Sequence, residues 1–199
     1  MSTPVASGDV SHPEWKIVYG DFNFDDNTLI TSLVLGFKKV TGLLSLDVMT
    51  SVTTINLDSL ISVGGDFLMS AGTMTTISLP SLISVGGTIT VNACLNLTTL
   101  SAPIWVTAGG DVEFDSNPLL ANVDVSSLLI EDFHTYAFDN CALTVASVEN
   151  VLQRVAHSNE PLGPTAAIVF LNNGTSAGLA SLTPTGVSDY NIATTDGNT

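Results

Sequence analysis

Residues 55–69 read INLDSLISVGGDFLM and residues 77–91 read ISLPSLISVGGTITV, so an identical SLISVGG returns after 22 residues. Self-similarity at such a period is the mark of a repeat array. Aligned on glycines, the chain divides into five units and a degenerate sixth, beginning at Gly20, Gly42, Gly65, Gly87, Gly110 and Asp132. Two residues into each unit stands an apolar side chain: Phe22, Leu44, Phe67, Ile89, Val112. Two further on stands another: Phe24, Leu46, Met69, Val91, Phe114, with Tyr136 assigned to this column in the sixth unit. Alternate residues of a strand share a face, so both columns are expected to point inward.

A second pair of columns runs Ile30, Val52, Met74, Leu97, Leu120 and then Leu33, Ile55, Ile77, Leu100, Val123, with short strands at INLD, ISLP, LSAP and VDVS. A third apolar cluster, such as Leu60, Ile61 and Val63, precedes the Gly-Gly turn. Each unit is read as two strand-like segments and two turns. One unit cannot bury its apolar side alone, but stacked on copies of itself it can. The expected fold is therefore mainly β: a short right-handed β-solenoid, leucine-rich-repeat-like, with about six coils of 22–23 residues. The glycines at 64–65, 86–87 and 109–110 are expected to take sharp turns at positive φ. The polar column Asp25, Asp47, Ser70, Asn92, Asp115 is expected to cap turns.

The ends of a solenoid need covers. Residues 1–19 form the expected N-terminal arm, with Trp15, Ile17 and Val18 over the first coil, and 20–145 the repeat domain. Residues 146–199 form the C-terminal cap and tail. Val148, Val151, Leu152 and Val155 fall on one helical face, which predicts a capping helix over 147–157, N-capped by Ser147; AAIVFL predicts a strand over 166–171.

The apolar columns with SLxSVGG turns resemble the degenerate leucine-rich repeats of receptor L domains and related bacterial surface proteins, over roughly residues 20–145. The chain departs from standard leucine-rich repeats in lacking a regular Asn in the consensus turn and a helix-length segment in each unit. The C-terminal stretch with LNNGTSAG (171–178) is similar to the tails of repeat modules in bacteriophage structural proteins and gut-bacterial surface proteins. That resemblance implies a role at a particle or cell surface.

The chain has 199 residues, 45% hydrophobic and only 12% charged, with 19 acidic residues against Lys16, Lys38, Lys39 and Arg154, for a formal net charge of −15. Such a balance repels phosphate backbones and anionic membrane surfaces, so neither nucleic acid nor membrane insertion is expected. No apolar run approaches a membrane span, and the N-terminus lacks the basic start and apolar core of a secretory signal.

The chain offers few groups suited to catalysis or metal binding. His12, His134 and His157 do not stand at metal-ligand spacing, and no nucleotide-binding or nucleophile-elbow motif occurs. Cys141 with His134 could be imagined as a catalytic pair, but buried filling is the expected role of Cys141; Cys94 lies two coils away, too far for a disulfide. Asp25 and Asp47 share a column in adjacent coils, a separation that also suits two glycosidase carboxylates, yet column neighbours always lie that close. Asp21, Asp25 and Asp26, and the alternating Asp111, Glu113 and Asp115, offer oxygens to a divalent cation; a solvated strand face is the expected reading. Asn96 and Asn173 head two glycosylation sequons. Asp66 is expected to face solvent and tolerate substitution, whereas Ile77→Asp should unfold the domain.

No catalytic residue, cofactor or metal is therefore assigned. The expectation is a non-enzymatic structural, decorating or attachment module of a virion surface, an oligomer or assembly subunit acting on other proteins. The alternative is a bacterial cell-surface module binding carbohydrate or a host protein, with a polysaccharide-cleaving enzyme third.

Overall fold

The computed structural model describes residues 8–129, 134–144, 146–148, 150–151 and 168–170. It is a parallel β-solenoid of about five turns. Successive coils are in register: Phe22 pairs with Leu44, Leu44 with Phe67, Phe67 with Ile89, and Ile89 with Val112. The reason is the one read from the columns. Like residues recur once per coil, and parallel pairing at the strand spacing stacks them into one dry interior. Phe67, Met69, Ile77, Val91 and Phe114 are among the fully enclosed side chains.

Counted from Gly8–His12, each of the first five coils has three strands, not two. One seven-stranded sheet runs from Phe22–Asn23 through Phe67–Ser70 to Thr135–Ala137 and Ile168–Phe170. A second column falls into two three-stranded sheets, which part between Thr54–Asn56 and Thr76–Ser78. At that seam Thr73 donates both its N–H (3.3 Å) and its hydroxyl (2.8 Å) to Val52 O. The cluster read as a lead-in to the Gly-Gly turn is itself a five-stranded sheet: Ile17–Val18, Lys39–Val40, Ser62–Val63, Ser84–Val85 and Thr107–Ala108. Two-residue strands carry too little alternation to be seen in sequence.

Three further expectations are corrected. Part of the stretch 1–19 is built into the solenoid, since Gly8–His12 pairs with Ile30–Leu35 and Ile17–Val18 with Lys39–Val40. Tyr136 pairs with Val112 and so belongs to the first column, not the second. The fifth step, into the sixth unit, is thus 24 residues long, and Phe138 takes the second column, edge-on to Phe114 at 5.4 Å. The expected start of that unit, Asp132, lies outside the described residues. The glycine pairs are also needed for a different reason. None of those six has positive φ; a Cβ on Gly86 would collide with Gly64 O, and one on Gly109 with Gly86 O. Glycine there lets one backbone lie against the next.

Apart from Gly8 and Gly20, positive φ among the described residues occurs at Asp26, Val48, Ala71, Ala93, Ser116 and Asn140, one corner residue per coil with φ of 51–60°. Five of these residues each follow a member of the polar column, whose hydrogen bonds are described below.

At the C-terminal side, residues 146–148 and 150–151 are helical. The helix is capped earlier than expected: Thr144 Oγ1 accepts the Ser147 N–H (3.3 Å). Ser147 sits inside the first turn, where its hydroxyl donates to Ala121 O and accepts from Val123 N–H, both at 3.0 Å. Threonine serves as an N-cap as serine does. Val148 and Val151 are buried as expected; residues 152–157, and most of the predicted strand 166–171 beyond 168–170, lie outside the described residues.

Candidate functional site

The candidate polar groups are drawn into holding coils together. Asp25 Oδ1 accepts from the Ser45 hydroxyl (2.6 Å) and the Asp47 N–H (2.9 Å), so it is a rung of the stack. Burial pushes the Asp47 carboxyl above its ordinary range; a hydrogen bond from Ser70 opposes this and the charges of Asp25 and Asp26 add to it. Asp21, Asp66 and Asp111 occupy one column in alternate coils. Each carboxylate accepts a backbone N–H from the following coil, from Leu43 (2.9 Å), Thr88 (2.9 Å) and Thr135 (2.7 Å). Asp66 is exposed, as expected, but it is bonded. Glu113 accepts from the Thr90 hydroxyl (3.1 Å) and Asp115 from the Ser116 hydroxyl (3.1 Å). Among the described residues no group of three or more His, Cys, Asp or Glu could hold a metal ion.

The cysteines share a column that sequence reading missed. The residue after each positive-φ corner turns inward: Asn27, Met49, Gly72, Cys94, Asn117, Cys141. Asn117 is wholly enclosed; its amide donates to Val91 O (2.8 Å) and Phe114 O (2.9 Å), and its Oδ1 accepts from the Cys94 N–H (2.9 Å). Cys141 Sγ donates to Phe114 O (2.9 Å), and burial pushes its thiol up to about 12. Burial raises the Cys94 thiol as well. Both cysteines are free and buried, so neither presents a thiolate at neutral pH. His134 is half-buried, and His12 lies against Glu14 (3.2 Å) and stacks on Trp15 at 4.0 Å. Asn96 is exposed; Asn173 and His157 lie outside the described residues.

The five-stranded face carries a ladder of exposed aliphatic side chains. One outer column runs through Lys16, Lys38, Ile61, Ile83, Val106 and Leu129. Each N–H bonds the carbonyl one coil back: Lys38 to Lys16 (2.7 Å), Ile61 to Lys38 (2.8 Å), Ile83 to Ile61 (2.8 Å), Val106 to Ile83 (2.8 Å) and Leu129 to Val106 (2.9 Å). Beside it stand Ile17, Lys39, Ser62, Ser84 and Thr107, partnered coil to coil. Segments 15–20, 37–42, 60–65, 82–87, 105–110 and 128–129 make up this face, and they contain no Asp or Glu. The threonine-rich strand segments 28–35, 50–57, 72–79 and 95–102 share that lack of acids, so the 19 acids are segregated toward the seven-stranded sheet and its corners. Glu14, Asp21, Asp58, Asp66 and Asp111 border the face, and Glu131 and Asp132 lie outside the described residues.

Among the described residues the same face carries five of the eleven exposed large apolar side chains, Ile17, Tyr19, Ile61, Ile83 and Leu129, with Ile104 at its border, while Trp15 stands edge-on to Phe22 at 6.1 Å. Single exposed apolar residues are ordinary, but a contiguous set marks a contact surface. Its only charges are Lys16, Lys38 and Lys39, gathered at one end.

No family model matches the chain, and neither the characterised proteins nor the solved structures searched include a match. Among the described residues no helix is long and apolar enough to cross a membrane.

Proposed function

We propose that this chain is a non-enzymatic structural or attachment module of a particle surface, most specifically a bacteriophage virion protein, acting through protein–protein contacts. The observation that carries the reading is the acid-free five-stranded face, where exposed aliphatic side chains stand in a ladder on a chain of net charge −15. Charged groups are depleted at the centre of protein interfaces, and this face has that composition before any partner arrives. A rod of laddered coils presents it rigidly, so little ordering entropy is lost on docking. The leucine-rich resemblance belongs to the same reading. Val112-Glu113-Phe114-Asp115-Ser116-Asn117 follows the apolar-x-apolar-x-x-Asn run, with Cys94 and Cys141 in the Asn position of their coils.

The test is sedimentation of intact particles from the native host, followed by peptide mass spectrometry. The chain should travel with the particles in stoichiometric amount, and Ile83→Asp should release it. Recovery of the natural chain only as free protein refutes the reading. A second reading, carbohydrate recognition at a cell surface, draws on Tyr19, which is 83% exposed, beside Trp15 at the first coil. Glycan-array binding lost in Tyr19→Ala would favour it.

A further inference from the structure

We propose that the acid-free face is a self-association surface, on which a second copy of this chain docks with its axis antiparallel. The inference rests on the protein-contact reading above and names the partner.

The argument is the gradient along the column Lys16, Lys38, Ile61, Ile83, Val106, Leu129. Two copies laid parallel would set lysine against lysine. Two copies laid antiparallel about a two-fold axis set Ile61 against Ile83 of the other copy, Lys38 against Val106, and Lys16 against Leu129. Such an arrangement is self-complementary, as a two-fold interface must be. Aliphatic meets aliphatic at the centre, and the lysine stems cover apolar side chains while their ammonium groups reach the rim. Among the described residues the acids gather on the seven-stranded sheet and its corners, at Asp21, Asp25, Asp26, Asp47, Asp66, Asp111, Glu113 and Asp115, so two copies meeting through that side repel each other, whereas this face carries no acid to do so.

Area sets the strength. Six rungs at roughly 4.8 Å and six residues at about 3.3 Å give a footprint near 600 Å² per copy. That is below the roughly 800 Å² of a standard stable interface, so the dimer is weak and reversible. Salt gives the decisive sign. With a net charge of −15 on each copy, screening strengthens self-association. Docking of an acidic partner on the lysines would weaken with salt.

The experiment is sedimentation equilibrium of the whole chain from roughly 5 to 200 µM, a range suited to an interface of this size, at about 50 and 500 mM NaCl. The expected result is a monomer–dimer equilibrium that tightens with salt. Ile83→Asp should weaken it at least tenfold, while Leu119→Asp, exposed on another side, leaves it unchanged; circular dichroism verifies that both fold. Lys38→Cys combined with Val106→Cys should oxidise to a covalent dimer, whereas Lys38→Cys alone should not. A monomer throughout, a dimer weakened by salt, or a dimer indifferent to Ile83→Asp overturns the proposal. Particle sedimentation judges the underlying reading separately, since a monomer in solution can still travel with a particle.

Discussion

Asn117 makes the solenoid sensitive to a small change. Its enclosed amide joins three backbone groups on two coils: Val91 O, Phe114 O and the Cys94 N–H. In Asn117→Ala, Phe114 O keeps the Cys141 thiol, but Val91 O and the Cys94 N–H lose this partner. A buried polar group left unsatisfied costs about 1–3 kcal/mol, so two cost about 2–6 kcal/mol, a large share of the 5–15 kcal/mol typical of a domain. Asn117→Asp should be worse near neutral pH, because a carboxylate cannot donate to the two carbonyls. Asn117→Cys should be milder, because Cys94 and Cys141 already donate Sγ to carbonyls in the same column. Urea unfolding followed by circular dichroism measures all three. A loss below about 1 kcal/mol for Asn117→Ala would refute the reasoning, since the smallest single-orphan cost would then not be met.

Other expectations concern the corners and the acids. Val48 holds φ at 57° with a β-branched side chain, a conformation that costs roughly 1–2 kcal/mol; Val48→Gly should raise stability by about 1 kcal/mol, read from the urea midpoint. Gly86→Ala should lower it by about 3 kcal/mol by forcing a methyl against Gly64 O. Asp47, whose folded-state ionisation is disfavoured mainly by burial, holds its proton more tightly folded than unfolded. Its contribution to stability should therefore fall as pH rises from about 3.9 through its raised value. Asp47→Asn should remove that fall, so the difference between variant and natural chain grows across the window and then levels off. Asp66→Asn should cost at most about 1 kcal/mol, since an amide oxygen still accepts the Thr88 N–H.

The solenoid was legible because hydrophobic columns repeat residue by residue: Phe22 to Val112, and Leu33 to Val123 except at the seam, keep the partners read from spacing. The third sheet was not, because Ser62–Val63 offers one inward residue and no alternation. Tyr136 was misplaced because a 24-residue step breaks the 22–23 rhythm where no glycine marks it. The inward corner column stayed hidden because Asn, Met, Gly and Cys share no chemistry; only the backbone shows that they share a place. The acid-free face escaped notice for a related reason. A net charge of −15 is an average over the chain, and segregation appears only when the ladder bonds set Lys38, Ile61, Ile83 and Val106 side by side.

All of this depends on Ile61 and Ile83 being adjacent rungs of one parallel ladder. The most direct measurement is disulfide formation in Ile61→Cys/Ile83→Cys against Ile61→Cys/Val106→Cys, with the buried Cys94 and Cys141 left in place. Adjacent rungs lie about 4.8 Å apart, within the range a disulfide spans, whereas rungs two coils apart lie about 9.6 Å apart and outside it. Under mild oxidation of dilute monomer, the account predicts an intramolecular bridge in the first pair, seen as loss of two free thiols by mass spectrometry, and none in the second. No bridge in the first pair, or equal bridging in both, would contradict it.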